Sequence, residues 1–217
     1  MSELITNGPV SFETAARNIC EAGRILDSKA MAPATSGNYS MRVDDGSFAI
    51  TASGFHKGRL IEDNVMRVDA EGKALEPKKP SAETLLHTQI YRHYPGANAI
   101  LHVHSGNGVV LTRLLGGDVL LAGYEMLKVF PGVNTHEVKV RLKTVDNTQD
   151  MPALAELLEP EIAGLAVPVY VIRDHGFYVW GKDMDECLNM CEAVDHMLGL
   201  ELQVLTFKGL PKKGFFV

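Results

Sequence analysis

Leu101-His102-Val103-His104-Ser105 is the stretch whose residue types and spacing point most directly to chemistry. On a strand, residues i and i+2 project from one face, ~6.6 Å apart along the chain. Two imidazoles in that relation can converge on one cation at ~2.0–2.1 Å each. The pair ends the apolar run Ala99 to Val103 and precedes Ser105-Gly106-Asn107-Gly108, a turn of the kind at which ligands sit. A His-x-His pair alone is also common at surfaces, and a catalytic zinc site takes three protein ligands with one position left open. His175 is the best-placed third ligand: it follows the apolar run Val167 to Ile172 and precedes Gly176, where backbone can approach closely. A plain turn histidine is the competing reading of His175, and His136 is the reserve ligand. His56, His93 and His196 have mainly polar neighbours and are expected to face solvent. His87, one helical turn after Glu83, is expected to pack or to pair with it.

Three small-residue loops form a second signal. Ala34-Thr35-Ser36-Gly37-Asn38, Thr51-Ala52-Ser53-Gly54 with Lys57-Gly58, and Lys79-Pro80-Ser81 each offer backbone N–H groups, side-chain donors or a helix start. Such groups suit a phosphate, although any one of these loops alone would pass as a turn. Two carboxylates are candidate acid/base groups. Glu83 falls in the first turn of a helix, where a glutamate also serves the helix dipole. Glu125 lies in the mostly apolar stretch Gly123 to Lys128, where its pKa is expected to be pushed upward; a salt bridge with Lys128 is the alternative.

These residues need elements to hold them. Ser11 can cap a helix from Phe12, in which Ala15, Ala16, Ile19, Ala22 and Ile25 recur at helical spacing. Tyr39 to Val43 and Phe48 to Ala52 read as a hairpin about Asp44-Asp45-Gly46, and Met66 to Val68 with Ala74-Leu75 as a second pair. Pro80-Ser81 opens a helix ended by Tyr94-Pro95-Gly96, and Gly108 to Leu115 is a helix closed by Gly116-Gly117. Tyr124 to Phe130 reads as a short helix or turn. The alternation of Val138, Val140 and Leu142 indicates a strand, Met151 to Glu159 a helix, and Val167 to Ile172 and Phe177 to Trp180 two strands. Asp183 to Phe207 is a long terminal helix. The expected fold is one α/β domain whose hairpins make the sheet mixed or antiparallel.

Bulk properties limit the function. At 217 residues, with 46% hydrophobic and 22% charged side chains, a core can form without staples. A formal charge of -6 argues against a nucleic-acid partner. No run of about 18 apolar residues is present, so no membrane span is expected. Met1 to Val10 does not read as an export signal, and Cys20, Cys187 and Cys191 are then expected to be reduced thiols in a cytoplasmic protein.

The series Thr35-Ser36-Gly37-Asn38, Thr51-Ala52-Ser53-Gly54, Lys79-Pro80-Ser81-Ala82-Glu83, His102-Val103-His104-Ser105 and His175-Gly176 resembles the class II aldolase/adducin-head family over nearly the whole chain. The resemblance implies a single domain over 1–217, three-layer α/β/α, with a central mixed, largely antiparallel sheet. It implies a homotetramer with active sites at subunit interfaces and one ion per subunit on His102, His104 and His175: zinc, with iron or manganese left open. It puts a phosphate pocket at Ser36, Gly37, Asn38, Ser53, Gly54 and Ser81. Pro80 to His87, Tyr124 to Lys128 and His175 to Gly181 point to the family's dehydratase branch, with Glu125 as acid/base, acting on a methylthio-bearing sugar phosphate. The alternatives are a phosphoketose aldolase or epimerase with Glu83 as base, and a non-catalytic interaction domain like the adducin head. Phe55-His56 departs from the family's more usual Arg-Asp. No tyrosine follows Tyr178, whereas the aldolase branch uses one in its C-terminal tail.

Overall fold

The computed structural model describes residues 8–209, so most of the stretch Met1 to Val10, read above against an export signal, lies outside them. Helix α1 (Phe12–Ser28) starts where Ser11 accepts a hydrogen bond from the Thr14 N–H at 3.3 Å. Strands β1 (Asn38–Arg42) and β2 (Phe48–Thr51) make the expected hairpin, and β3 (Val65–Val68) pairs with β2. The second hairpin reduces to a single bridge between Val68 and Ala74. Then follow α2 (Thr84–His93), β4 (Ala99–Val103), α3 (Gly106–Leu115), β5 (Val119–Ala122), β6 (Lys139–Val145), α4 (Met151–Ile162), β7 (Val169–Ile172), β8 (Gly176–Gly181) and α5 (Met184–Lys208). The stretch Glu125–Val129 is a 3-10 turn. Helix α2 begins at Thr84, later than Pro80-Ser81 suggested, with Glu83 at its N-cap.

The strands form one eight-stranded sheet in the order β3-β2-β1-β4-β8-β7-β6-β5. Among the described strands only β6 and β7 pair parallel, across the α4 crossover, so the sheet is mixed and largely antiparallel. Strand periodicity divides the core into two layers. Tyr39, Met41, Leu101, Val103, Phe177 and Val179 pack with α1 and α5. Their alternates Ile50, Ile100, Tyr170, Tyr178 and Trp180 pack with α2 and α4. The result is three layers, α/β/α. Cys20, Cys187 and Cys191 are buried free thiols in the first layer, and no described helix is long and apolar enough to cross a membrane.

Candidate metal centre and active site

Because β4 alternates, His102 shares the α2 side of the sheet with Ile100, and His104 follows just past the strand end. His175 enters from the β7–β8 turn, beside the same strand end. The three Nε2 atoms converge: His104 and His175 are 3.0 Å apart, His102 and His175 3.4 Å, and all three ligand atoms lie within 4.8 Å of one another. A tetrahedral zinc with ~2.0–2.1 Å bonds spaces its ligand nitrogens about 3.3 Å apart, so the donor set fits such an ion.

The surroundings prepare the rings for that role. His102 Nδ1 donates to the Phe177 carbonyl at 3.1 Å, which leaves Nε2 as a lone pair aimed at the cluster. Burial, opposed by the Glu83 carboxylate, lowers the His102 pKa to about 4; burial and the neighbouring imidazoles lower that of His104 to about 3. Both rings are therefore neutral at neutral pH, the form that can bind a metal. Gly176 permits the convergence: a Cβ there would lie 2.1 Å from the Val103 carbonyl oxygen and 3.1 Å from His102 Cε1. Gly37, at φ 77°, likewise lies against the His102 carbonyl, 2.8 Å from where its Cβ would be. That contact brings the first hydroxyl-rich loop to the metal strand.

Glu83 stands against the imidazoles. Its Oε2 is 3.3 Å from His102 Nε2 and its Oε1 3.4 Å from His175 Nε2. Oε2 accepts from Asn38 Nδ2 at 3.0 Å and from the Tyr178 hydroxyl at 2.6 Å. Burial alone would raise this carboxyl, but the His102 ring and the Asn38 and Tyr178 hydrogen bonds reverse that and lower it to about 2. The residue next to the ligands is thus a fixed carboxylate.

Glu125 is placed differently. Its side chain is 70% exposed, on the 3-10 turn, paired with Lys128 and 3.5 Å from His136. The expected upward pKa shift is overturned: the Lys128 hydrogen bond lowers it instead, because the carboxylate sits on the rim of the apolar stretch rather than within it. Among the described residues no hydrogen bond or ion pair joins Glu125 to His102, His104, His175 or Glu83. His136 is exposed beside it and away from the cluster's contacts.

The three loops meet beside the centre. Lys57 is buried, and its Nζ donates to the carbonyls of Thr35 and Phe55 at 2.8 Å each, tying the first loop to the second. The Ser53 N–H donates to the Lys79 carbonyl at 3.0 Å, and Ala52 bridges Pro80, tying the second to the third. Ser53 and Gly54 are exposed and Ser36 and Ser81 half-buried. Asn38 is buried and turns its amide to Glu83 and His87. His87 packs in the interior, one of its two expected readings, and meets Glu83 through Asn38 rather than directly. His196 is exposed, but His56 and His93 are half-buried beside Asp27 and Glu159 rather than free in solvent. Asn38 and Tyr178 were not singled out as partners of Glu83. Their positions opposite His102 on the two strands flanking β4 are the signal that identifies them.

A mixed sheet layered by five helices, with three imidazoles at the end of a central strand, is the architecture of a metal-dependent class II aldolase. The chain belongs to the class II aldolase and adducin N-terminal domain family, which it matches over residues 17–202. It is 47% identical over 194 residues to a methylthioribulose-1-phosphate dehydratase of Methylococcus capsulatus, covering 89% of this chain and 95% of that protein. It is 48% identical over 198 residues to one of Marinobacter nauticus, covering 89% and 95%. Among solved structures, YgbL of Klebsiella pneumoniae shares the fold with a TM-score of 0.79 at 22% identity, covering 93% of this chain and 94% of that one. The l-fuculose-1-phosphate aldolase of Thermus thermophilus does so with a TM-score of 0.71 at 21%, covering 92% and 98%.

Proposed function

We propose that this chain removes water from 5-methylthioribulose 1-phosphate, giving 2,3-diketo-5-methylthiopentyl 1-phosphate, as a cytoplasmic, homotetrameric zinc enzyme of methionine salvage. The observation that carries the reading is the convergence of His102, His104 and His175 in a chain 47% identical to relatives of that activity. His102, His104 and His175 would hold a divalent cation, which would supply Lewis acidity at the C2 carbonyl when bound. Ser36, Gly37, Asn38, Ser53, Gly54, Lys57 and Ser81 belong to the loops that receive the phosphate and hold C3 and C4 in place. In our reading the side chain of Asn38 and the ammonium of Lys57 act by ordering these loops, while backbone N–H groups and hydroxyls meet the ester. Dehydration removes the C3 proton, breaks the C4–O bond and delivers a proton to the departing hydroxyl. The resulting enol then ketonises to the diketone.

Glu125 is assigned one of those proton transfers. Its exposure suits a tetramer with active sites at subunit interfaces, where a carboxylate on one chain's surface enters a neighbour's site. Glu83, fixed and ionised against the imidazoles, is assigned to orienting the reacting end. That contact also favours a second reading, an aldolase or epimerase with Glu83 as base. Incubation with the methylthio sugar phosphate, before and after chelation, separates the two: diketone formation lost on chelation and restored by zinc supports dehydration, whereas an aldehyde or epimer product supports the rival. Dehydration undiminished in Glu125→Gln would remove Glu125 from the mechanism.

A further inference from the structure

Glu83, at the N-cap of α2, and His87 and Tyr91 within it, recur every four residues, while β1 carries Asn38, Ser40 and Arg42 every two. Four helical residues rise about 6.0 Å and two antiparallel strand residues about 6.8 Å, so the two polar rows stay in step across the layer. Their contacts run rung by rung. Asn38 Nδ2 meets Glu83 Oε2 at 3.0 Å, and His87 Nε2 meets Asn38 Oδ1. Ser40 Oγ meets His87 Nδ1 at 2.7 Å and the Tyr91 hydroxyl at 2.9 Å. Arg42 Nη2 donates to the Tyr91 carbonyl at 2.7 Å and closes the row. Glu83, Asn38, His87, Ser40 and Tyr91 are all buried, within an otherwise apolar layer.

Chemistry gives this row one direction. A carboxylate oxygen accepts from the amide, so Asn38 presents Nδ2 to Glu83 and Oδ1 to His87. Oδ1 only accepts, which requires the His87 proton on Nε2. Nδ1 is then a lone pair, so the Ser40 hydroxyl donates to it, and Ser40 Oγ in turn accepts from Tyr91. Every proton points toward Glu83, and such aligned bonds polarise one another. Were the Asn38 amide to flip, Oδ1 would face Oε2, acceptor against acceptor.

We propose that His87, a buried histidine outside the metal centre, is a positioning residue: its Nε2–H tautomer, set by Ser40 and Tyr91, locks the Asn38 amide so that Glu83 Oε2 is held and Oε1 stays turned toward His175. The inference rests on the reading of Glu83 as part of the reacting site, but not on the identity of the substrate.

The test combines histidine-selective 15N NMR on the full chain with steady-state kinetics of the zinc-loaded enzyme. The expected wild-type signature is a protonated Nε2 and a bare, hydrogen-bonded Nδ1 at His87, assigned by its loss in His87→Phe. Ser40→Ala, which touches neither Glu83 nor His102, His104 or His175, should perturb that Nδ1 resonance and lower kcat by up to about 10-fold, the lower end of what losing a direct partner of a metal ligand costs. KM and zinc stoichiometry should stay near wild type, and Ser40→Thr, which keeps the hydroxyl, should recover kcat. A protonated Nδ1 in the wild type would overturn the proposal. So would an undiminished kcat in Ser40→Ala, which remains informative if His87→Phe does not fold. A wild type inert toward the methylthio sugar phosphate would strike the proposed substrate alone, leaving the tautomer to decide this inference.

Discussion

Lys57 has the chemical type of an exposed phosphate ligand and the location of a loop fastener. Its ammonium is buried and donates to the Thr35 and Phe55 carbonyls, and burial lowers its pKa to about 8. The neutral amine keeps two N–H donors for those two carbonyls. Replacing Lys57 by Met orphans both carbonyls, at a cost of about 1–3 kcal/mol, and releases from each other two of the three loops proposed to receive the phosphate. The expected kinetic result is a higher KM for the phosphate ester with kcat less affected. Linkage adds a pH signature. The folded pKa lies below the ordinary 10.5, so between about 8 and 10.5 the unfolded chain binds more protons than the folded one, and this group's contribution to stability rises with pH. Denaturant midpoints of wild type and Lys57→Met should therefore diverge as pH increases through that window. A constant gap would mean that the lysine is solvated. None of this is legible in Thr51 to Gly58: the inward turn of the ammonium depends on a loop some twenty residues earlier in the chain.

At the scale of elements, legibility followed periodicity. His102 and His104 were readable because a strand's two-residue period puts them on one side, and Gly176 because close backbone approach leaves its mark as glycine. Strand β5 escaped because Val119-Leu120-Leu121-Ala122 is apolar throughout; its alternation of buried and exposed residues is written in position, not polarity. Helix α4 runs past Glu159 to Ile162, through Pro160, a residue that ordinarily signals a helix stop. Helix α3 shows what such ends do for the site. Its N-cap, Ser105, follows His104, a proposed metal ligand, accepts from the Gly108 N–H at 2.9 Å, and donates to Asp195 on α5. The His104 N–H is held by the Met31 carbonyl at 2.9 Å. Ser105→Ala should therefore cost about 1 kcal/mol as a lost cap and also loosen one metal ligand. Chelator competition should show weaker zinc retention in this variant than in a cap variant remote from the site, Ser11→Ala, at equal loss of thermal stability. Equal retention in the two would reduce Ser105 to a helix cap.

The whole molecule leaves one discrepancy of place: the carboxylate assigned to proton transfer is on the surface, while the imidazoles it must serve are recessed at a strand end. A closed oligomer resolves this if each site takes its histidines from one chain and Glu125 from the next. Leu120 on edge strand β5 is 52% exposed five residues before Glu125, and Val138, thirteen residues after it, is 36% exposed; such an interface would cover both. Mixing provides the decisive measurement. Glu125→Gln and His104→Ala chains are each expected to be inactive alone, one lacking the proposed acid/base carboxylate and the other a proposed metal ligand. Randomly reassembled tetramers would contain wild-type sites wherever an intact histidine set meets an intact Glu125 from its neighbour, about a quarter of sites in a cyclic arrangement with two-chain sites. Activity regained on mixing, with both tags co-purifying, assigns Glu125 to the adjoining subunit. With exchange verified and no activity regained, the acid/base must act within one chain, and Glu83, already seated against the imidazoles, becomes the group to examine.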